Sequence, residues 1–562
     1  MPIQTDAASS NSLPKTNGMD FWNFIRAESD VSLLKLLGMA ALSGFSNALL
    51  LAIINAAAQA AGAQQWPSTS LFVSFVVTIL LFILSQRFIL RISSTEIERM
   101  IGNLRVRIAD KIHKADLLPI EGLGQSTIYA VVSRDTQTIS QAAMPMIIAV
   151  QSAIMVLFII IYIAYLNISA FVITSAMILL GILFHLRQRE QLEKDLYEAT
   201  VRENDFFTLL THLLEGFKEV KLNTERSAEL NKDLANLADS VVELKSKSGA
   251  AFASHFIFSQ TTFYVLIAGI VFILPSLSEG TYTGTIMEIT AAILFMIGPL
   301  SNLIGIIPLF SAANVAVTNI RSLEASLDEL RRVARDRGDL NVAPPSDFHA
   351  IRLSNIRFAY RDRDGQPTFP IGPIELTIHK QEVLFVIGGN GSGKSTFLKL
   401  LTALYYPESG KIELDGHDPA EVGYASYRNL FSAIFSDYHL FDRLYGVHAR
   451  DEEVNEKLRY MELENKTKFV NGRFVNQDLS TGQRKRLALI VSLLEDRPIY
   501  VFDEWAADQD PAFRKRFYTE ILPNLRTEKK KTIIAATHDD LYFDVADRVL
   551  KMEDGGLSEV KR

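Results

Sequence analysis

The stretch VLFVIGGNGSGKSTFLKLLTAL, residues 383–404, specifies the architecture of the C-terminal part of the chain. An apolar run of strand type leads into a glycine-rich loop, and a pattern of helical period follows the loop. The loop reads Gly388-x-x-x-x-Gly393-Lys394-Ser395, which is a complete P-loop between the strand and the helix that this motif requires. We therefore predict an α/β domain that binds the phosphates of a nucleotide.

The residues of this loop suit a phosphate chain and a metal ion. Glycines let backbone N–H groups close around phosphate oxygens, and the start of the helix adds a positive dipole. We expect Lys394 to reach the β- and γ-phosphates and the Ser395 hydroxyl to bind Mg²⁺. The predicted ATP ligands in this stretch are Gly388, Asn390, Gly391, Ser392, Gly393, Lys394, Ser395 and Thr396.

A second apolar run, IYVFDE at 499–504, ends in two adjacent acids. P-loop ATPases use the terminal Asp of a second strand to support Mg²⁺, so Asp503 is the predicted metal-side carboxylate. Glu504 follows it and is predicted to polarise the attacking water as general base. The alternative is a strand that ends in solvated acids, which the upstream P-loop disfavours.

The N-terminal part of the chain is apolar in long runs. A bilayer span needs about 20 mostly apolar residues. The loops 61–69, 166–167 and 277–284 are short and carry no Lys or Arg, whereas 93–140 and 188–250 are long and rich in both. By the positive-inside rule the short loops face outward and both termini face the cytoplasm. The six predicted spans are 33–60, 70–92, 141–165, 168–187, 251–276 and 285–312.

Three features of this part lie outside the regular spans. The inner segments 95–118 and 193–223 have helical periodicity, and we predict that they continue the spans as a stalk that contacts the C-terminal domain. The alternative is two solvated helical hairpins. Residues 19–30 place Phe21, Trp22 and Ile25 on one helical face, which suits either an interfacial helix or a frayed cytosolic start.

Among the few polar residues inside the predicted spans, the ionisable His255 and Glu288 stand out, together with Gln260. Ionisable groups in the hydrocarbon are costly and often functional, so we hypothesise that such residues line a substrate cavity. The alternative is that each lies at a membrane interface, near the end of its span. The net charge of −7 and the pI near 5.9 give no reason to expect a nucleic-acid partner. The absence of cysteine excludes disulfides and thiol chemistry.

Four further elements lie around the P-loop: three follow it in a recognisable order, and Tyr360 precedes it. LSTGQRKRLALIVSLLED (479–496) is a polar turn and a helix that resemble the ABC signature, with Thr481 in place of its first glycine. ADQD (507–510) occupies the place of the D-loop, and His538 of THDD resembles the switch histidine. Tyr360 lies where the adenine-stacking aromatic residue of this family is found. With the six spans, the whole chain resembles an ABC exporter half-transporter.

This resemblance implies a type I exporter: an α-helical membrane domain with six transmembrane helices, joined to an α/β P-loop ATPase domain. It implies that ATP binds between two such domains, with the P-loop of one chain facing the signature of the other. One chain carries one set of motifs, so a homodimer is the simplest functional unit. The additional residues that the resemblance assigns to the site are Tyr360, Ser480, Gly482, Gln483, Asp510 and His538.

One position departs from the family pattern. Ser436, within FSAIFSDYHLFD (431–442), stands where the Q-loop glutamine is expected. It remains a predicted contributor to the nucleotide site. The segments FSDYHLFD, LSTGQRKRLAL and DEWAADQDP are similar to those of the bacterial cyclic-peptide and siderophore-peptide exporters, such as the exporters of pyoverdine, syringomycin and microcin J25.

The expected organisation is a cytosolic N-terminus over 1–30, a membrane domain over 31–340 and a nucleotide-binding domain over 341–562. The expected function is ATP-driven export of a peptide-like natural product or siderophore precursor across the bacterial inner membrane, with ATP and Mg²⁺ as cofactors. The alternatives are a flippase for lipids or hydrophobic drugs and an ATP-gated regulatory membrane protein. The expected partners are a second copy of the chain, membrane lipid and the peptide-like substrate.

Overall fold

The computed structural model describes residues 20–28, 33–62, 64, 66–277, 283–335, 348–362 and 366–560. The predicted linker 341–347 and residues 1–19 lie outside these ranges. The chain forms two compact units: one comprises Met1–Asp110 and Ser126–Ala325, and the other comprises Lys111–Gln125 and Ser326–Arg562. This grouping confirms the predicted contact of the first inner segment with the C-terminal domain, for residues 111–125.

The first part of the chain is entirely helical where it is described. The short π-helical turns Val131–Asp135 and Gly269–Ile273 connect neighbouring helices. In chain order the α-helices are α1 (Asp20–Glu28), α2 (Leu33–Gly62), α3 (Thr69–His113), α4 (Leu117–Leu123), α5 (Gln125–Ala130), α6 (Thr136–Leu166), α7 (Ile168–Glu215), α8 (Phe217–Leu222), α9 (Thr224–Ala268), α10 (Leu274–Leu277), α11 (Thr283–Gly305) and α12 (Ile307–Arg335).

The first four predicted spans each lie on one α-helix. The fifth runs from α9 through the turn Gly269–Ile273 into α10, and the sixth covers α11 and the start of α12. The predicted fourth span coincides with a shorter apolar stretch, Ile168–Phe184, at the start of α7. Among the described residues, five stretches are long and apolar enough to cross a membrane: Gly38–Gly62, Thr69–His113, Thr127–Leu166, Thr224–Ile273 and Gly284–Asp328.

The sixth predicted span contains a local irregularity at Ile306, between α11 and α12, within the continuous apolar stretch Gly284–Asp328. Helix α11 ends at Gly305 and α12 begins at Ile307. Pro308 lies in the first turn of α12, where its missing backbone N–H costs least. Glycine favours a helix end because it has no Cβ to restrict its backbone.

Three helices are much longer than a bilayer is thick. Helices α3, α7 and α9 contain 45, 48 and 45 residues. At about 1.5 Å per residue each extends roughly 70 Å, whereas the hydrocarbon core is about 30 Å thick. The inner segments therefore continue the spans as helices, as predicted. The first continuation ends at His113, before α4, and the second ends at Gly216, before α8.

The N-terminal helix α1 is packed within its unit, so residues 20–28 are not a frayed start. Phe21 is fully buried and its ring makes an edge-on contact with Phe310, 6.2 Å between centroids. The backbone N–H of Phe21 donates to Asn314 Oδ1 at 3.0 Å. Glu28 accepts from Arg107, with an N–O distance of 2.7 Å.

The second unit contains the strands. Five strands, β10, β3, β9, β8 and β5, are parallel neighbours in a six-stranded sheet, and β11 pairs antiparallel with β10. A three-stranded sheet has the order β2-β1-β4, and β6 pairs with β7. The strands are β1 (Ala350–Arg361), β2 (Pro367–His379), β3 (Val383–Ile387), β4 (Ser409–Leu414), β5 (Phe431–Ile434), β6 (Phe469–Val470), β7 (Arg473–Phe474), β8 (Ile499–Asp503), β9 (Thr532–Ala536), β10 (Arg548–Glu553) and β11 (Gly556–Glu559).

The helices of this unit cover the parallel sheet. Strands β8 and β9 are buried along their whole length, as is typical of parallel strands covered on both faces. Short segments follow the carboxyl ends of the sheet's central strands β3, β8 and β9. The α-helices are α13 (Lys394–Leu401), α14 (Pro419–Val422), α15 (Tyr424–Arg428), α16 (Asp451–Tyr460), α17 (Thr481–Glu495), α18 (Pro511–Arg516) and α19 (Leu522–Thr527).

Candidate nucleotide site

The predicted phosphate loop lies at the carboxyl end of β3, in the middle of the parallel sheet. A side chain at Gly388 would bring a Cβ to 2.3 Å from the carbonyl oxygen of Met552, and φ is 153° there. Gly393 has a φ of 104° and is the N-cap of α13. Glycine is therefore required at both ends of the loop for steric reasons.

Lys394 begins helix α13 and points back into the loop. Its ammonium is buried and donates to the carbonyl oxygens of Gly388 at 3.0 Å and Gly389 at 3.1 Å. The same nitrogen lies 3.1 Å from Glu504 Oε1. The lysine that is expected to bind phosphates is thus also paired with the proposed base.

Parallel strands bring their carboxyl ends to one edge of a sheet, which explains why distant residues meet here. Glu504 follows β8, His538 follows β9 and Ser436 follows β5. His538 Nε2 lies 3.1 Å from Glu504 Oε1. The backbone N–H of Ser436 donates to Asp503 Oδ2 at 3.4 Å. The structure therefore brings Lys394, Glu504, His538, Asp503 and Ser436 together.

The Glu504 carboxyl has a lowered pKa despite its partial burial. Burial alone would raise the pKa. The hydrogen bonds and the charges of Lys394 and His538 lower the pKa, and their combined effect is larger than that of burial. The group is consequently ionised at neutral pH and can accept a proton. Glu504 also has left-handed backbone angles, φ 49° and ψ 36°, which are uncommon for a residue with a side chain.

Asp503 offers a donor set that fits Mg²⁺. Its side chain is buried at the end of β8, and within the described part of the chain Oδ1 has no hydrogen-bond partner. A buried carboxylate oxygen without a partner is costly, and Mg²⁺ prefers such hard oxygen ligands. Ser395 stands in the first turn of α13, the helix that begins with Lys394. These residues fit the predicted metal.

The signature sequence forms the start of helix α17. Ser480 is the N-cap, and it exchanges hydrogen bonds with Gln483 in a capping box. A Cβ at Gly482 would approach the carbonyl oxygen of Asp508 to 2.5 Å, so this glycine has no room for a side chain. Thr481 is exposed at the first helical position, which explains why a side chain is tolerated in place of the family's glycine.

Two predicted site residues contact other side chains and backbone groups of the unit. Tyr360 on β1 lies 3.1 Å, oxygen to oxygen, from Thr396 of α13, so it stands beside the P-loop helix. Asp510 is the N-cap of α18 and accepts from the backbone N–H of Phe513 at 3.0 Å. Asp510 is also paired with Arg486 of α17. The pKa of Asp510 is lowered, chiefly by the backbone hydrogen bond from Phe513.

Sequence reasoning missed several residues of this unit. Lys485, inside the signature helix, donates to the backbone carbonyl of Glu504 at 2.8 Å. Glu121 of α4 accepts from Tyr405 and from Lys399, the latter at 3.0 Å. The sequence carried one usable signal, because Lys485 falls on the apolar side of an otherwise amphipathic helix. No local pattern relates Glu121 to residues almost 300 positions away.

Comparison with known proteins identifies the family. Residues 371–507 match the model of the ABC transporter family, and residues 33–312 match the model of the ABC transporter transmembrane region. The chain is 34% identical to the ATP-binding protein SyrD of Pseudomonas syringae pv. syringae over 479 residues, which cover 82% of this chain and 83% of that protein.

The chain belongs to the ABC transporter family.

A second relative of this transporter is the ATP-dependent lipid A-core flippase of Pectobacterium atrosepticum. It is 27% identical over 376 residues, which cover 63% of this chain and 61% of the flippase. The solved structure of a bacterial Atm1-family ABC exporter with ATP bound superimposes with a TM-score of 0.71 over 95% of each chain, at 20% identity. That likeness supports the type I exporter fold alone.

The expected fold class and activity are therefore confirmed at this level. The protein is an ABC exporter half-transporter, a multi-pass membrane protein that couples ATP hydrolysis to transport. The ATP-binding domain carries the P-loop, the signature and the residues around Glu504.

Proposed function

We propose that this transporter exports a peptide-like natural product or siderophore precursor across the bacterial inner membrane. The observation that carries the proposal is the 34% identity to SyrD over most of both chains. The motif sequences around the nucleotide site are similar to those of the cyclic-peptide and siderophore-peptide exporters. The proposed orientation has both termini in the cytoplasm, because the positive-inside rule assigns the Lys- and Arg-rich segments 93–140 and 188–250 to the cytoplasmic side.

The proposed ATPase chemistry uses the residues at the edge of the parallel sheet. Mg²⁺ bound by Ser395 and Asp503 would neutralise charge on the phosphates. Lys394 is proposed to exchange its contact with Glu504 for the β- and γ-phosphates when ATP binds. That exchange frees the Glu504 carboxylate to accept a proton from the attacking water, while His538 keeps it oriented.

The proposed functional unit is a homodimer. Ser480, Gly482 and Gln483 lie at the start of α17, where helical N–H groups favour an anion. In the proposed dimer they face the phosphates held by the P-loop of the other copy. A single chain carries both halves of this arrangement, so two copies complete two ATP sites.

The membrane unit contains a cavity whose lining suits a mainly apolar cargo. Its volume is about 600 Å³, within the range of small-molecule pockets. Apolar and aromatic side chains dominate its wall, and His255, Ser259 and Thr262 supply polar groups. His255 thus lines a cavity, in line with the hypothesis about ionisable residues, whereas Glu288 is not among the described residues that line it.

A flippase remains the second candidate. The apolar wall of the cavity and the 27% identity to the lipid A-core flippase favour it. Both candidates are ATP-driven transporters, so they differ in cargo rather than in mechanism. A peptide-like compound presents amide groups to the polar side chains, whereas a lipid presents acyl chains alone to most of the wall.

Mass comparison of cytoplasm, periplasm and medium tests the proposal. Cells would express the wild type or the Glu504→Gln form, which keeps the fold but removes the proposed base. A peptide-like compound that leaves the cytoplasm only with the wild type supports export. A change in membrane lipid distribution without a change in peptides favours the flippase. Inside-out vesicles then separate a pump from an ATP-gated channel, because only a pump accumulates its solute against a gradient.

A further inference from the structure

Lys485 is a buried cation that the proposed ATPase chemistry does not use. It lies on α17, just after the signature residues, and its side chain is only 5% exposed. Its ammonium donates to the backbone carbonyl oxygen of Glu504 at 2.8 Å and lies 2.7 Å from Asp508 Oδ2. Burying an ammonium is costly unless it is paired, so two close oxygens define a specific place for this side chain.

We infer that Lys485 is a positioning residue that holds the backbone of Glu504 in its left-handed conformation. This inference rests on the proposed role of Glu504 as the base. A residue with a side chain persists in this strained region only where its surroundings hold it there. The Glu504 carbonyl also accepts from the backbone N–H of Ala507 at 3.3 Å, and the Glu504 N–H donates to the carbonyl of Ala536 at 3.1 Å.

The direction of the carbonyl controls the direction of the carboxylate. The peptide before Glu504 is anchored to β9 through Ala536, so the φ angle of Glu504 sets the directions of both its Cα–Cβ bond and its Cα–C bond. Anchoring the following peptide therefore restricts φ, and with it the direction of the Cα–Cβ bond. Lys485 anchors that following peptide. Without it the carboxylate is free to turn away from Lys394 and His538. A displacement of about 1 Å at a reacting group can cost roughly a hundredfold in rate.

The same lysine joins the signature turn to the segment after β8. The indole N–H of Trp505 donates to the backbone carbonyl of Lys485 at 2.9 Å. Gln509 Nε2 donates to the carbonyl of Gly482 at 3.1 Å. Several hydrogen bonds therefore join the start of α17 to residues 504–509. A movement of the signature turn is passed to the backbone of Glu504 through Lys485.

A purely structural role is the competing explanation, and the chain contains a matched control for it. Lys531 donates to the backbone carbonyl of Asp496 at 3.1 Å and lies 2.8 Å from Asp496 Oδ1. Asp496 is likewise left-handed, with φ 50°, and it caps the other end of α17. Each lysine thus binds the backbone carbonyl of a left-handed residue and one carboxylate, which belongs to Asp508 for Lys485 and to Asp496 itself for Lys531. Only Lys485 does so at the proposed base.

The experiment compares Lys485→Met and Lys531→Met in the full-length protein in lipid nanodiscs. Methionine keeps most of the length and removes the charge and the donors. Asp508 is 45% exposed, so water can solvate it once its cation is gone. The measurements are kcat, KM for MgATP, the affinity for a non-hydrolysable ATP analogue, and the melting temperature. Glu504→Gln and the double variant Lys485→Met/Glu504→Gln complete the set.

We expect Lys485→Met to lower kcat about tenfold or more, while KM and the affinity for the analogue stay within about twofold. Lys531→Met should retain the wild-type kcat. The double variant should be no slower than Glu504→Gln alone, because a positioning residue acts through the group that it positions. A Lys485→Met enzyme with kcat within about twofold of the wild type overturns the inference. Equal losses in both lysine variants, or parallel losses of affinity and melting temperature, also overturn it.

The Glu504→Gln variant tests the assignment of the base separately from the positioning role of Lys485. If Glu504→Gln retains the wild-type kcat, the assignment of the base is wrong. If Glu504→Gln is inactive and Lys485→Met is unaffected, the base stands and the positioning role is wrong.

Discussion

Lys394 Nζ lies 3.1 Å from Glu504 Oε1, so the P-loop lysine is paired with the carboxylate that follows Asp503. The ammonium is buried and the carboxylate is partly buried, which strengthens their attraction relative to an exposed pair. We therefore expect ATP and Glu504 to compete for one cation. The predictions below follow from this pair and from its neighbours.

Glu504→Gln should abolish turnover and retain nucleotide binding. The amide cannot act as a base, and loss of a general base costs about 10² to 10⁴ in rate. The neutral side chain also releases Lys394 for the phosphates, so we expect the affinity for ATP to rise. Steady-state ATPase assays and equilibrium binding measure the two effects. Glu520→Gln, on the outside of the same unit, is the control. Weaker ATP binding in Glu504→Gln would contradict competition for Lys394.

Lys394→Ala should weaken ATP binding. The substitution removes the ammonium that we expect to contact the β- and γ-phosphates, and it leaves the Glu504 carboxylate without its cation. We expect at least a tenfold rise in the dissociation constant, from the loss of charge-assisted hydrogen bonds that contribute about 1.5–3 kcal/mol each. Lys411→Ala, at an exposed position of β4, is a control for loss of charge alone. Unchanged binding would remove Lys394 from the site.

The acid limb of the ATPase pH profile should depend on His538. Burial raises the pKa of Glu504, but Lys394 and His538 lower it below its ordinary value. A lowered pKa keeps the carboxylate ionised as the pH falls, so the Glu504 contribution to kcat/KM is lost only below the ordinary Glu range. His538→Ala removes one of the lowering groups and should move the acid limb to higher pH.

His538→Gln is the matched control for that profile. Glutamine retains a hydrogen-bond donor, so the acid limb should move less than in His538→Ala. Melting temperatures across the same pH range show whether unfolding contributes. Identical acid limbs in the wild type and His538→Ala would mean that His538 does not influence the proposed base.

Gly482→Ala should damage the signature turn, and Thr481→Ala should not. A Cβ at 482 would lie 2.5 Å from the carbonyl oxygen of Asp508, so the turn or the segment after β8 must shift. Overpacking of this kind costs about 1–3 kcal/mol. Thr481 is exposed and its replacement by alanine suits a helix. Melting temperature and ATPase rate should fall in Gly482→Ala alone, and equal effects would refute the steric argument.

Tyr405→Phe should reduce the stimulation of ATPase by cargo. The Tyr405 hydroxyl donates to Glu121 of α4, and its ring makes an edge-on contact with Tyr360, 6.0 Å between centroids. Hydrogen bonds to charged groups contribute about 1.5–3 kcal/mol. We expect cargo-stimulated turnover to fall severalfold and basal turnover to stay near the wild type. Tyr445→Phe, with an exposed ring, is the control. Full stimulation in Tyr405→Phe would exclude this contact from coupling.

Much of the candidate site can be predicted from short segments of the sequence. The P-loop, the acids after β8 and the spans are each contained within a short segment, where spacing determines backbone geometry and apolar content determines burial. Gly388 and Gly393 illustrate this, since their positive φ angles are what the motif demands. The sixth span was predicted from its apolar content, but the irregularity at Ile306 within it does not show in that content.

The sequence by itself determined the elements, their order and the chemistry at the strand ends. Tertiary structure alone decided which of these residues meet. Lys394 and Glu504 are brought together because β3 and β8 flank β9 in one parallel sheet. Lys485 reaches Glu504, and Glu121 reaches Tyr405, through contacts between separate elements. Such contacts depend on packing in three dimensions, and the spacing of residues within one segment contains no information about them.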